Sequence, residues 1–134
     1  MPHAQLKGAN LFYEESGKGR AVIMVPGLVA DHRYWNNLAQ FLSSSFRVIA
    51  VDNRGCGQTE YGGAFTIDDM ADDIIGLMDH LGIEKANLIG WSMGSHVCLD
   101  AAARYPERTE SLCLLSSYCY RPARSAYVLS NLGR

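Results

Sequence analysis

One short stretch, Gly90-Trp91-Ser92-Met93-Gly94, constrains the fold more than any other part of the sequence. The apolar run 86–89 before it is typical of a buried strand, and the run 93–105 after it has helical spacing. Glycines on both sides of Ser92 relieve the crowding of a sharp strand-to-helix turn, which lifts the serine hydroxyl out of the sheet. We therefore expect Ser92 at the end of a strand, with the next backbone N–H at a helix N-terminus.

The rest of the chain alternates between strand patterns and helix patterns. Continuous apolar runs predict buried strands at 21–25, 46–52, 86–89 and 111–115, after a short strand or hairpin within 6–15. Apolar spacing predicts a helix over 34–42 capped by Asp31, and a second over 67–81 opened by a capping box at Thr66 and Asp69. Five acidic residues of the second helix lie off its apolar stripe and are interpreted as a solvated face: Asp68, Asp69, Asp72, Asp73 and Asp79.

This alternation predicts an α/β fold, a mostly parallel sheet flanked by helices. We expect residues 1–134 to form one partial domain, with its core at about 5–117 and a loop or tail at 118–134. Ligands bind to such sheets at the carboxyl ends of the strands. The unusual residues gather there: Pro26-Gly27-Leu28, Asp52-Asn53-Arg54 and Ser92.

Composition excludes several classes of function. A net charge of −2 gives no reason to expect a nucleic acid or a membrane surface as partner. No basic-then-apolar leader and no membrane-spanning run is present, so we expect a cytoplasmic protein. The four cysteines show no paired spacing and are interpreted as reduced, mostly buried thiols, and the four histidines are scattered. We expect no metal and no cofactor.

Three motifs together resemble the α/β-hydrolase superfamily over about residues 5–117. The first is Val25-Pro26-Gly27-Leu28 followed by Trp35, with Pro26 where the family usually has histidine. The second, residues 52–59, is similar to the family's D-x-R-G-x-G-x-S signature, and the third is the G-x-S-x-G stretch. Within the family the chain looks most like small serine esterases, lactonases and carbon–carbon bond hydrolases.

The resemblance implies a site and a reaction. Ser92 would be the nucleophile, and the backbone N–H groups of Leu28 and Met93 would form the oxyanion hole. The substrate-binding candidates are Gly27, Val29 and Trp91, with Tyr118 as a further rim residue, and the substrate would be a small acyl compound. Asp52 and Arg54 are interpreted as structural residues that hold their turn by hydrogen bonds.

The chain also departs from the family pattern. Family members are usually about twice as long as this chain, and in them an acidic residue and then a histidine follow the nucleophilic serine. The only histidine after Ser92 is His96, which we favour as a packed or surface residue, and His32 is interpreted as an exposed loop residue. The resemblance therefore covers an N-terminal half, truncated after about the sixth strand, whose hydrolysis alone is expected to be very weak.

Two alternatives remain open at the level of sequence. One is a non-catalytic interaction or dimerising module that keeps the sheet and lacks the chemistry. The other is a dimer whose paired edges create a different site. Both involve the apolar strand 111–115, which would lie at an exposed sheet edge and self-associate.

Overall fold

The computed structural model describes residues 2–116. Its strands are β1 (His3–Leu6), β2 (Ala9–Ser16), β3 (Ala21–Val25), β4 (Arg47–Val51), β5 (Glu60–Tyr61), β6 (Ala86–Trp91) and β7 (Thr109–Leu115). Its α-helices are α1 (Asn36–Leu42), α2 (Ile67–Leu81) and α3 (Met93–Arg104), and short 3₁₀ turns span His32–Trp35 and Pro106–Arg108. The tail predicted at 118–134 lies outside the described residues.

The strands form one sheet in the order β1-β2-β4-β3-β6-β7, with β5 beside β2. The pairs β4–β3, β3–β6 and β6–β7 are parallel, whereas β1 and β2 form an antiparallel hairpin that joins β4. The prediction of an α/β fold with a mostly parallel central sheet is confirmed. Within the described residues β7 is an edge strand, as predicted for 111–115.

Helices cover the two faces of the sheet unequally. The larger core joins one sheet face to α2 and α3, and the smaller core joins the other face to α1. β3 supplies Ile23 and Val25 to the first core and Val22 and Met24 to the second, so the strand is buried on both faces, as its continuous apolar run predicts.

The helix α2 follows its sequence pattern closely. The Thr66 hydroxyl and the Asp69 carboxylate form the predicted capping box, and Gly82 ends the helix in a left-handed conformation at φ 69°. Its apolar stripe packs against the larger core, where burying each large aliphatic side chain contributes about 1.5–3 kcal/mol.

One acidic residue of this helix does not lie on the predicted solvated face. Asp73 is buried and accepts two hydrogen bonds from Arg54, from Nε at 2.7 Å and from Nη2 at 2.9 Å. Nη2 also donates to the Lys7 carbonyl at 2.9 Å. The prediction was wrong for Asp73 because a buried guanidinium from the turn after β4 requires a buried partner. Arg54 is therefore structural, and it holds α2 and the turn that follows β1 against its own turn.

The segment 34–42 is only partly the helix that its spacing predicts. It begins as a 3₁₀ turn, which has about three residues per turn, and this shift rotates the apolar stripe. Trp35 is buried as predicted, but Tyr34 is 48% exposed and Phe41 is 76% exposed.

The cysteines also depart from expectation in part. Cys98 is buried and Cys56 is half-buried. Cys113 is exposed, because among residues 2–116 no helix packs against its face of β7. Cys119 lies outside the described residues. None of the described helices combines the length and the apolar character that crossing a membrane requires.

Candidate active site

Ser92 lies at a sharp turn between the central strand β6 and the helix α3. Its backbone has φ 53° and ψ −118°, a conformation that side chains rarely adopt. The Ser92 N–H donates to the Leu115 carbonyl at 2.9 Å, and its own carbonyl accepts from the N–H of Ser95 at 2.9 Å and from the Ser95 hydroxyl. The turn is held from both sides, and the half-buried side chain of Ser92 stands at the carboxyl edge of the sheet, as predicted.

The glycines around Ser92 are required by close packing. A side chain at Gly94 would collide with the Val25 carbonyl and approach the Pro26 carbonyl oxygen to 2.5 Å. A side chain at Gly90 would lie 2.6 Å from the Cα of Ser95. Both glycines let α3 begin directly over the ends of β3 and β6, and this brings the loop after β3 next to Ser92.

The loop after β3 carries the first predicted oxyanion donor. A Cβ built on Gly27 would be 3.2 Å from the Cβ of Ser92 and 2.8 Å from Cε3 of Trp91, so the Gly27 backbone lies close to both residues and leaves no room for a side chain. Leu28 follows directly, and the Ala30 N–H closes the turn on the Gly27 carbonyl at 3.2 Å. Val29 has φ 57°, which is strained for a β-branched residue.

The second predicted donor is the N–H of Met93, the first residue of α3. The first N–H groups of a helix have no acceptor within the helix, and the helix dipole makes this end positive. Within residues 2–116, no hydrogen bond occupies the N–H of Leu28 or of Met93. The roles of both residues as an oxyanion hole stay predictions.

The predicted substrate-binding residues form a partly apolar rim. Leu28 is 67% exposed and Val29 is 89% exposed, so both side chains face solvent. Trp91 is half-buried and stacks on Tyr34, with ring centroids 4.2 Å apart and 13° between the planes. Sequence reasoning missed Tyr34, because helical spacing assigned it to the apolar stripe.

His32 is the clearest correction at the site. It is buried, and both its N–H and its ring atom Nδ1 lie 2.7 Å from Asp52 Oδ1. Its other ring nitrogen, Nε2, is 3.4 Å from Glu14 Oε1. The interpretation as an exposed loop residue was wrong, because β4 lies beside β3 and brings the carboxylate that follows β4 next to the loop that follows β3.

Asp31, His32 and Asp52 are close enough for one metal ion, with candidate ligand atoms within 4.8 Å of one another. Their hydrogen bonds leave little capacity for a metal. Asp52 Oδ1 accepts from His32, Asp52 Oδ2 accepts from the Gln58 N–H at 2.8 Å, and the Asp31 carboxylate is bound by the Arg33 guanidinium. These contacts fit a hydrogen-bonded network around a buried carboxylate, as predicted for Asp52.

His96 lies one turn along α3 from Ser92 and is half-buried. Desolvation lowers the pKa of its imidazole, which favours the neutral form at neutral pH.

Comparison with known proteins gives the family. A family profile described as alpha/beta hydrolase fold matches residues 20–131. The chain belongs to the α/β-hydrolase family. It is 36% identical over 114 residues to a 2-hydroxy-6-oxo-6-phenylhexa-2,4-dienoate hydrolase of Comamonas testosteroni. The matched region covers 78% of this chain and 39% of that relative.

Two solved structures of hydrolases are also similar to this chain. An enol-lactonase from Burkholderia xenovorans has a TM-score of 0.80 and 34% identity over 83% of this chain and 45% of its own. A thermophilic esterase from Thermogutta terrifontis also has a TM-score of 0.80 and 34% identity, over 89% of this chain and 45% of its own. The chain spans about 40% of the length of the curated relatives it matches.

Proposed function

We propose that this chain carries the nucleophile and the oxyanion hole of a serine hydrolase that acts on an ester, a lactone or a similar acyl compound. The observation that carries the proposal is the backbone of Ser92, held at φ 53° beside the Gly27 backbone at the carboxyl edge of the sheet. Strain of this kind concentrates at functional sites, where the surrounding structure maintains it.

The reaction would proceed by acyl transfer. The Ser92 hydroxyl attacks the carbonyl carbon, its proton passes to a base, and the carbonyl oxygen becomes an oxyanion that accepts hydrogen bonds from the N–H groups of Leu28 and Met93. The oxyanion then collapses, the bond to the leaving oxygen breaks, and that oxygen takes the proton from the base to leave as the alcohol. Water next attacks the acyl-enzyme, which releases the acid and restores the Ser92 hydroxyl. The exposed side chains of Leu28 and Val29 would contact an apolar part of the acyl group.

A general base for the Ser92 hydroxyl is the catalytic group for which residues 2–116 offer the weakest candidate. His96 lies on the same helix as Ser92, one turn on, whereas a general base must reach the serine hydroxyl from the substrate side. We propose that the base and its acidic partner come from residues outside 1–134 or from a second polypeptide. Residues 1–134 alone are then expected to hydrolyse esters very weakly.

A fluorophosphonate probe tests the proposal, because it reacts with activated serines and its site can be mapped by mass spectrometry. We expect slow labelling of Ser92 in the 134-residue chain, and faster labelling when residues that supply an acid and a histidine are joined to it. Ser92→Ala should remove the label, and the control Ser44→Ala, at an exposed serine just after α1, should retain it. Efficient hydrolysis of an aryl ester by the 134-residue chain, lost in Ser92→Ala, would refute the proposed need for an added base.

We also propose that β7 pairs with β7 of a second copy of this chain. The non-catalytic alternative, a dimerising module, would use the same strand pairing. In residues 2–116 its only neighbour in the sheet is β6, and Leu115 and Cys113 are exposed. Pairing of this edge across a two-fold axis would satisfy its free backbone groups. Sedimentation should show a dimer at micromolar concentration that Cys113→Lys weakens and the control Phe41→Lys does not, whereas a monomer throughout would contradict it.

A further inference from the structure

We infer that Asn53 and His32 are positioning residues that hold the loop after β3 against Ser92. The loop comprises residues 26–31 and contains Leu28, whose N–H is the first predicted oxyanion donor. The catalytic meaning of the inference rests on the proposed function, but the holding of the loop can be measured without any catalysis.

Asn53 holds the beginning of the loop. Its side-chain Nδ2 donates to the Pro26 carbonyl at 3.0 Å, and the residue is 2% exposed. Pro26 directly follows β3 and directly precedes Gly27, whose backbone lies close to Ser92 and Trp91. Loss of this bond would leave a buried carbonyl without its partner, which costs more than the bond itself contributes.

His32 holds the end of the loop. Both its backbone N–H and its ring Nδ1 contact the same oxygen, Asp52 Oδ1, at 2.7 Å. Asp52 is itself fixed, because it is fully buried and its second oxygen accepts from the Gln58 N–H at 2.8 Å. The adjacent residues Asp52 and Asn53, at the carboxyl end of β4, therefore fix both ends of the loop that follows β3.

One further contact reaches the middle of the loop, a hydrogen bond between the Val29 backbone and the Cys56 thiol. Leu28 and Val29 are 67% and 89% exposed, so their side chains contribute little packing, and one turn bond joins Ala30 to Gly27. The position of the Leu28 N–H relative to Ser92 thus depends mainly on the two ends of the loop, while the Val29–Cys56 bond and the close approach of Gly27 to Ser92 support its middle. A displacement of about 1 Å in a catalytic group can lower the rate about a hundredfold, so even a small shift of this loop would affect the reaction.

The chain offers a matched control for Asn53. Asn87 Nδ2 donates to the Ala21 carbonyl at 3.1 Å, at the opposite end of β3 and away from Ser92. Asn53→Ala and Asn87→Ala therefore both remove an amide-to-carbonyl bond, at opposite ends of one strand, and Asn87→Ala also removes the bond that the Ser111 hydroxyl donates to Asn87 Oδ1. For His32, asparagine can place a donor near the position of Nδ1 whereas leucine cannot, so His32→Asn and His32→Leu form a second pair.

The experiment measures two quantities on the wild-type 134-residue chain and these four variants. Amide hydrogen exchange of Ala30 and His32 reports the hold on the loop, because both N–H groups are hydrogen-bonded there. The rate of Ser92 labelling by a fluorophosphonate reports the use of the loop as an oxyanion hole. A urea midpoint measured on each variant separates a local effect from global unfolding.

We expect Asn53→Ala and His32→Leu to speed exchange of the Ala30 amide about tenfold and to slow labelling by a similar factor. Asn87→Ala should change neither the exchange rate nor the labelling rate. His32→Asn should stay closer to wild type in both rates than His32→Leu. Unchanged exchange in Asn53→Ala and His32→Leu, or an equal change in Asn87→Ala, would overturn the inference. Failure to label wild-type Ser92 would refute the proposed function, while the exchange rates would still decide whether these residues hold the loop.

Discussion

Replacing Ser92 by glycine should stabilise the chain relative to replacing it by alanine. Both variants remove the hydroxyl, so their difference isolates the cost of a Cβ at φ 53° and ψ −118°. Such a conformation costs about 1–3 kcal/mol for a residue with a side chain, and glycine avoids most of it. Against this, glycine is more flexible when unfolded, which costs about 0.5–1 kcal/mol. The net gain is about 0.5–2 kcal/mol in favour of Ser92→Gly.

Urea unfolding followed by circular dichroism measures this difference, and thermal unfolding should show a rise of a few degrees. The matched control is Ser43, which ends α1 in an ordinary helical conformation at φ −65°. There the order should reverse, and Ser43→Gly should be less stable than Ser43→Ala by about 0.5–1 kcal/mol.

Equal stability of the glycine and alanine variants at position 92, with the Ser43 pair behaving as expected, would contradict the backbone strain assigned to Ser92. That result would mean that the turn relaxes to ordinary backbone angles in solution. The proposed nucleophile would then lack the constraint that lifts its hydroxyl above the sheet, and the hydrolase proposal would lose the observation that carries it.

Three further changes test the surroundings of the site. Gly94→Ala should destabilise the chain by about 1–3 kcal/mol or prevent folding, because its Cβ would meet the Val25 carbonyl, and urea unfolding measures this. Arg54→Met should cost about 3–5 kcal/mol because it leaves the buried carboxylate of Asp73 unpaired; adding Asp73→Leu should recover much of the loss, and no recovery would contradict the pairing. Burial raises the pKa of Asp100, although hydrogen bonds from the Arg104 guanidinium oppose the shift. The folded chain therefore holds this proton more tightly than the unfolded chain, and the stability it contributes, present in acid, is lost as pH rises through the folded pKa. Asp100→Asn should flatten this pH dependence and be more stable than wild type at pH 7, and parallel stability curves for the two proteins would count against this.

Much of the fold could be predicted because its strongest signals are local. β3 is buried on both faces, so its residues form a continuous apolar run that does not depend on its neighbours. The start of α2 was equally clear, since Thr66 and Asp69 satisfy each other's backbone within four residues. The turn at Ser92 was predicted from the glycines, strand pattern and helix pattern within 86–105, although the Val25 carbonyl that excludes a side chain at Gly94 comes from another strand.

The errors arose where a residue's partner is far away in sequence. Asp73 has the sequence appearance of a solvated helix face, and only the arrival of Arg54, 19 residues earlier, makes it buried. His32 depends on Asp52, 20 residues later, through the pairing of β3 with β4. Phe41 is exposed although its spacing suits a core position, because α1 is short and follows a 3₁₀ turn.

The position of β3 in the sheet explains why its loop is the sensitive part of the site. Because β3 lies between β4 and β6, its loop is contacted from both sides: Asn53 binds it from the β4 side, and Ser92 meets Gly27 from the β6 side. The strain at Ser92 is in turn maintained by the Leu115 carbonyl of β7, one strand further along. A single hydrogen bond contributes about 1 kcal/mol, comparable to the strain it must hold. The geometry of Ser92 therefore depends on the pairing of β6 with β7, and a change that displaces the end of β7 should relax the turn even though it touches no predicted catalytic residue.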